Sequence, residues 1–213
     1  AGVDSGGLSR EFFDLVFRNL VDADEGGHCS SAGPGMFKQQ EDGALMLIPS
    51  SRPNAQYFGL GRLVAVALVH ASYGDVALPV VLNDCLLKYM VGQPITAVDV
   101  KRRDPIYFSN RFEALLKPGG IEMMASFLGL EQMVFAEDGV ELVPGGASIP
   151  VTADNVEEYT ARLCEHYVCG RVRTEMAHFL AGFHGLVPVA FLQKCGMRFA
   201  DLGMILSGIP DLN

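Results

Sequence analysis

The stretch from Asn54 to Tyr73 constrains this chain more than any other. Phe58, Leu60, the unbroken run Leu63 to Val69 and Ala71 leave almost no polar face. An exposed helix keeps a polar side, so a helix of this composition is expected to be central and buried. Its apolar run is seven residues long, far short of the ~20 that span a bilayer. The cover must therefore come from the rest of the chain. With 49% of its 213 residues hydrophobic and 19% charged, the chain has enough apolar material for a core, and wholesale disorder is excluded. Gly59-Leu60-Gly61 has valine at position 64 in place of a third glycine. Close packing against another helix is the expected use, rather than nucleotide binding.

The partners of that helix can be read in outline. Ser9 to Val21 predicts a helix capped by Ser9, with Leu8 stapled onto Phe13 and Phe12, Phe13, Val16, Phe17 and Leu20 on one face. Residues 22–43 are polar and glycine-rich and predict a loop, and Ala44 to Ile48 a short strand. Pro79 is expected in the first turn of a helix that ends at Gly92. Thr96 with Asp99 makes a capping box, and Asp104-Pro105 opens a helix to about Leu116, stopped by Lys117 to Gly120. Ile121 to Phe127, Gln132 to Ala136 and Val140 to Val143 read as strands. Asp154 with Glu157 opens a long helix to about Leu186. Pro188 starts a short one, and Phe199 to Leu206 forms the last, with Gly208 and Pro210 as stop signals. The expected fold is mainly α (α+β). Residues 1–95 and 151–213 form a large helical subdomain, and residues 96–150 an inserted small mixed α/β subdomain.

The net charge of −9 makes a nucleic-acid partner a poor fit. Five cysteines do not make a disulfide framework, and no signal peptide opens the sequence. A cytoplasmic or otherwise intracellular setting is expected, the nucleus included. Gly2 to Gly7 is glycine-rich before a helix but has no following Gly-Lys-Ser/Thr, so a structural turn is expected rather than a phosphate cradle. Cys164, His166 and Cys169 point about 200° and 140° apart on a helix of ~100° per residue, so they cannot converge on one metal. No cofactor is expected. A cysteine hydrolase using Cys164 or Cys195 with one of His70, His178 or His184 stays open as a remote alternative. Lys101-Arg102-Arg103 reads as a solvated helix end. The small subdomain carries Phe108, Phe112, Leu115 and Leu116, then Met123, Met124 and Phe127. Some 55 residues build only a thin core. These side chains either fill it or form a docking groove, for which methionines are well suited.

Six stretches taken together resemble one family. They are GVDSGGLSREFFDLV, YFGLGRLVAVALVHASYGDVALP, VGQPITAVDVKRRDP, ELVPGGASIPVTADNVEEY, HFLAGFHGLVP and FADLGMILSG. In this order, across essentially the whole chain, they resemble the N-terminal lobe of a HECT-type ubiquitin ligase.

The resemblance implies a mechanism and a site. Members take ubiquitin from a ubiquitin-conjugating enzyme onto a cysteine of a separate C-terminal lobe, then pass it to a substrate lysine. The small subdomain of the N-terminal lobe docks the conjugating enzyme. Carried over, the docking positions fall on Phe108, Phe112, Leu115, Leu116, Met123 and Met124. Family cysteines that carry ubiquitin lie in a Thr-Cys-Phe stretch, and Cys29, Cys85, Cys164, Cys169 and Cys195 do not. The resemblance thus implies no catalytic residue within these residues and an inactive lobe when alone. Partners expected on this basis are the conjugating enzyme, ubiquitin, and protein substrates bound through other regions. Some members hold a second ubiquitin through aromatics after the first helix. Asp24 to Gly27 has none here, which leaves Phe135 as a match to part of that surface. A non-catalytic adaptor is the alternative from another class.

Overall fold

The computed structural model describes residues 7–21, 35–49, 52–73 and 77–208. The expectations for Gly2 to Gly6, for 22–34 with Cys29, for Ser50-Ser51 and for Pro210 lie outside the described residues. The chain divides into two compact units, one of residues 1–94 with 171–213 and one of Ile95–Gly170. The described residues are mostly helical, with two small two-stranded sheets.

In the first unit the apolar stretch forms α2, Asn54–Ser72. It packs along α8, Arg173–His184. Tyr57, Leu60, Val64, Ala65, Ala67 and Leu68 of α2 and Met176, Phe179 and Phe183 of α8 are all buried. The crossing is close because two glycines meet it. A Cβ on Gly61 would lie 1.9 Å from the Phe179 carbonyl oxygen, and one on Gly182 would lie 2.0 Å from that of Phe58. Gly182, which lowers helix propensity by ~1 kcal/mol relative to alanine, thus has a packing reason. Burial of α2 is not all-round as expected. Val66 and Val69 are exposed, so the helix has an apolar solvent side.

Helix α1, Gly7–Leu20, buries Phe13 and Phe17. Ser9 lies inside it rather than at its cap, and Leu8 is exposed rather than stapled. A hairpin of β1, Phe37–Gln39, and β2, Leu45–Leu47, follows, with Phe37 opposite Leu47. The strand β1 lies in what reads as a loop, because Lys38 and Gln39 are polar and exposed. Leu82 bridges Leu45 and the Val81 carbonyl accepts from the Leu45 N–H at 2.8 Å, so the chain there is not yet helical. Helix α3, Asp84–Val91, therefore starts later than Pro79, with the Asn83 side chain accepting from the Cys85 N–H at 2.9 Å. Gly92 ends it in a left-handed conformation, φ 70°. Helices α9, Val189–Lys194, and α10, Phe199–Ser207, complete the unit. Gln93 accepts from the Phe199 N–H at 3.0 Å, and the Leu78 N–H donates to the Leu206 carbonyl at 2.6 Å.

The second unit holds α4, Ala97–Arg103, whose Thr96–Asp99 capping box forms as expected. Asp104 accepts from the Tyr107 N–H at 2.8 Å and opens α5, Pro105–Tyr107. The chain continues as a π-helix, Phe108–Glu113. Residues 120–127 are helical, α6 from Gly120 to Phe127, where a strand was expected. A short apolar run cannot be assigned by periodicity, and the left-handed turn at Gly119 starts a helix against the carbonyls of Ala114 and Leu115. The strands β3, Ala136–Glu137, and β4, Val140–Glu141, form a two-residue hairpin. Its turn residues Asp138 and Gly139 both have positive φ, 50° and 77°, as such turns require.

Helix α7, Val156–Cys169, starts after Asn155 and ends in a tight turn, Gly170–Val172. One long helix to Leu186 was expected; there are two. Helix α7 packs on α4 through Tyr159, Leu163, Cys164 and Val100, all fully buried. The second unit therefore runs to Gly170, and residues 151–170 do not belong with 1–95 as the sequence suggested.

Candidate functional site

The structure divides the six docking candidates. Phe112, Leu115 and Met124 are core residues, at 0%, 1% and 5% exposure. They cannot offer surface to a partner without unfolding. Phe108 is half-buried, its ring stacked on Phe112 at 5.9 Å and 12°. Leu116 and Met123 are exposed, at 51% and 54%.

Helix α6 explains the split. Gly120, Met124 and Ala125 face inward, so Met123 faces out. Phe127 follows one turn later on the same face and is the most exposed large apolar residue among those described, at 84%. Leu130, also exposed, lies just past the helix. Phe127 stood in the wider apolar set read from composition but not among the six carried-over docking positions, and Leu130 stood in neither. The signal was present, since Met123 and Phe127 share a face at four-residue spacing in a helix or a strand. Leu116, just before α6, and Met123 and Phe127 on its outer face are thus exposed apolar side chains, and Lys117 and Glu122 are exposed as well.

Charges edge Phe108. The Lys101 ammonium lies 5.1 Å from its ring centroid and 3.6 Å from a Glu113 carboxylate oxygen. The Ser109 hydroxyl donates to the other Glu113 oxygen at 2.8 Å. That hydrogen bond, with Lys101, holds the Glu113 carboxyl below its ordinary value. Arg103 lies over the Tyr167 ring at 5.9 Å, so the basic triplet is partly engaged with aromatics rather than only solvated. Tyr167 stacks on Tyr107 at 4.3 Å and its hydroxyl donates to Asp104 at 2.9 Å. Asp104 is held low by the Tyr107 N–H and then by this hydroxyl. Burial, and then the Glu137 carboxylate, push the Tyr107 phenol up to about 12.

Phe135, expected on a ubiquitin-binding surface, is buried and packs edge-on against Tyr159 at 5.4 Å. Cys85, Cys164 and Cys169 are buried, while Cys195 is exposed. Burial and then the Asp99 carboxylate push the Cys164 thiol up to about 12. It stays protonated at neutral pH and is a poor nucleophile. No metal-holding cluster occurs among the described residues, and no helix among them is long and apolar enough to cross a membrane.

A family model described as the HECT domain, a ubiquitin transferase, matches residues 28–213. The chain belongs to the HECT family. It is 27% identical over 214 positions to the E3 ubiquitin-protein ligase TOM1-like of Neurospora crassa, covering 100% of this chain and 5% of that protein. It is likewise 27% identical to the E3 ubiquitin-protein ligase HACE1 of Danio rerio, covering 97% of this chain and 22% of the relative. The E3 ubiquitin-protein ligase ptr1 of Schizosaccharomyces pombe matches at 24% over all of this chain and 6% of its own length. This HECT chain therefore spans about a fifth or less of these relatives.

Proposed function

We propose that this HECT chain is the docking lobe of a ubiquitin ligase and binds a ubiquitin-conjugating enzyme through the second unit. The observation that carries the reading is the exposure of the apolar side chains Leu116, Met123 and Phe127 in and just before α6, on a chain of this family. Loss of water from one such side chain against a partner is worth ~1.5–3 kcal/mol when burial is complete. A small set of this kind supports weak, transient docking, and a spent conjugating enzyme must leave.

In the proposed reaction, the docked enzyme presents ubiquitin as a thioester to a cysteine elsewhere in the full-length ligase. Sulfur attacks the thioester carbonyl, the conjugating enzyme leaves as its thiol, and a substrate lysine amine then takes the acyl group. The residues here supply docking and orientation. The buried, raised Cys164 thiol weighs against Cys164 as the nucleophile of the hydrolase alternative. Substrates would be held by other regions, inside the cell.

A binding screen of the chain against a panel of conjugating enzymes tests the proposal. At least one member is expected to bind, and to lose about tenfold or more in affinity with Phe127→Ala, equivalent to ~1.4 kcal/mol. Failure of the whole panel to bind would contradict docking and favour a non-catalytic adaptor.

A further inference from the structure

Three polar groups meet in the second unit, Arg111 and Tyr159 buried and Glu137 partly exposed, and none belongs to the exposed apolar set. Arg111, at 7% exposure, sits in the π-helical segment. Glu137 is on β3 and the fully buried Tyr159 on α7. An Arg111 Nη donates to Glu137 Oε2 at 2.6 Å. The Tyr159 hydroxyl donates to the same oxygen at 3.2 Å, and the guanidinium reaches that hydroxyl at 3.5 Å. The Nε of Arg111 is buried without a hydrogen-bond partner.

Such a pair is a poor source of stability. Desolvation of both ions offsets their attraction, and an orphan donor adds a further penalty. The best-attested use of buried charge is the choice of one register among several. Register is the open question at this place in the fold. A π-helical turn holds one residue more than an α-helical turn. Phe108–Glu113 therefore has a competing form, the regular α-helix, in which every later residue turns by about 100°. In that form the guanidinium would swing off Glu137. A charge and the Tyr159 hydroxyl would be left buried without partners.

We infer that Arg111, paired with Glu137 beneath the Tyr159 hydroxyl, is a register lock that holds the wide turn. The lock places Leu115 inside and Leu116 outside, and it sets where α6 begins. Arg111 is a positioning residue for the exposed apolar set and is itself out of a partner's reach. Only the consequence for binding rests on the docking proposal. The register does not.

The test uses the 213-residue chain with Arg111→Met and Glu137→Gln combined, so that neither charge is stranded, alongside Arg111→Lys. Hydrogen exchange at residues 112–116, the methyl resonance of Met123 and thermal unfolding are read together. The double variant is expected to unfold within about 3 °C of the parent. Its amides at 112–116 should exchange about tenfold faster or more, and the Met123 methyl should shift or split. Arg111→Lys keeps the charge and should restore the parental pattern. Exchange within about twofold of the parent in the double variant would overturn the lock. So would an acceleration spread evenly over Ile95–Gly170 and matched by lost stability, because the pair would then be a general brace. If the register changes but affinity for conjugating enzymes does not, the lock stands and the docking proposal fails.

Discussion

At the scale of single residues, adjacent or similar side chains have opposite roles. Phe112 and Phe127 are both apolar aromatics of the second unit, one fully buried and one largely exposed. Phe112→Ala is expected to destabilise the fold by ~3–5 kcal/mol, seen as a fall in denaturation midpoint. Phe127→Ala should change stability by no more than about 0.5 kcal/mol. The sequence resemblance placed Phe112 in the docking set because motif positions carry no burial. Only its packing in the folded unit, with the Tyr107 and Phe108 rings against it, decides that. Gly61 is the converse case, where the sequence pointed to close packing and the approach of backbone to backbone supplied the reason, and Gly182, which by sequence only weakens a helix, shares that reason. Gly61→Ala or Gly182→Ala forces a Cβ to about 2 Å from a carbonyl oxygen. Each should lower stability by ~1–3 kcal/mol or more by calorimetry. Asp104 tests the electrostatics. Its folded-state value is lowered, so its contribution is present above the ordinary carboxylate range and fades as pH falls through the lowered value. Tyr167→Phe removes one donor, and NMR titration should find the Asp104 value moved up toward that of a free carboxylate.

At the scale of elements, legibility followed the number of turns. Helix α2 spans nineteen residues, and its period and apolar load were plain. The Thr96–Asp99 box, the Asp104-Pro105 start and the Gly92 stop were also legible, because caps are local chemistry. The eight residues of α6 were misread as a strand, since an apolar run of that length fits either state. The start of α3 was misplaced because Pro79 suits a first turn, yet the bridge from Leu45 to Leu82 keeps the chain before Asn83 out of the helix. Asn83→Ala should cost ~1 kcal/mol, whereas a Pro79 cap would have predicted no effect, so the unfolding midpoint separates the two. The π-helix left no mark in the sequence. Phe108, Arg111, Phe112 and Leu115 fit an α-helical face, and the wide turn follows from a charge meeting its partner 26 residues away.

At the scale of the whole molecule, the chain divides into two compact units, and the second takes in residues 151–170, which the sequence grouped with 1–95. Proline and turn residues near 150 looked like an edge. Helix α7 instead belongs with α4, because Tyr159, Leu163 and Cys164 are buried there. Family membership was legible in six ordered motifs, none of which carries the proposed docking surface alone. That surface is three exposed side chains around a short helix. Its proposed role is tested most directly by calorimetric titration of a conjugating enzyme that binds the chain against the variant Met123→Asp/Phe127→Ser. The account predicts at least a tenfold loss of affinity, ~1.4 kcal/mol, with the unfolding midpoint unchanged. Undiminished binding by a folded variant would contradict it.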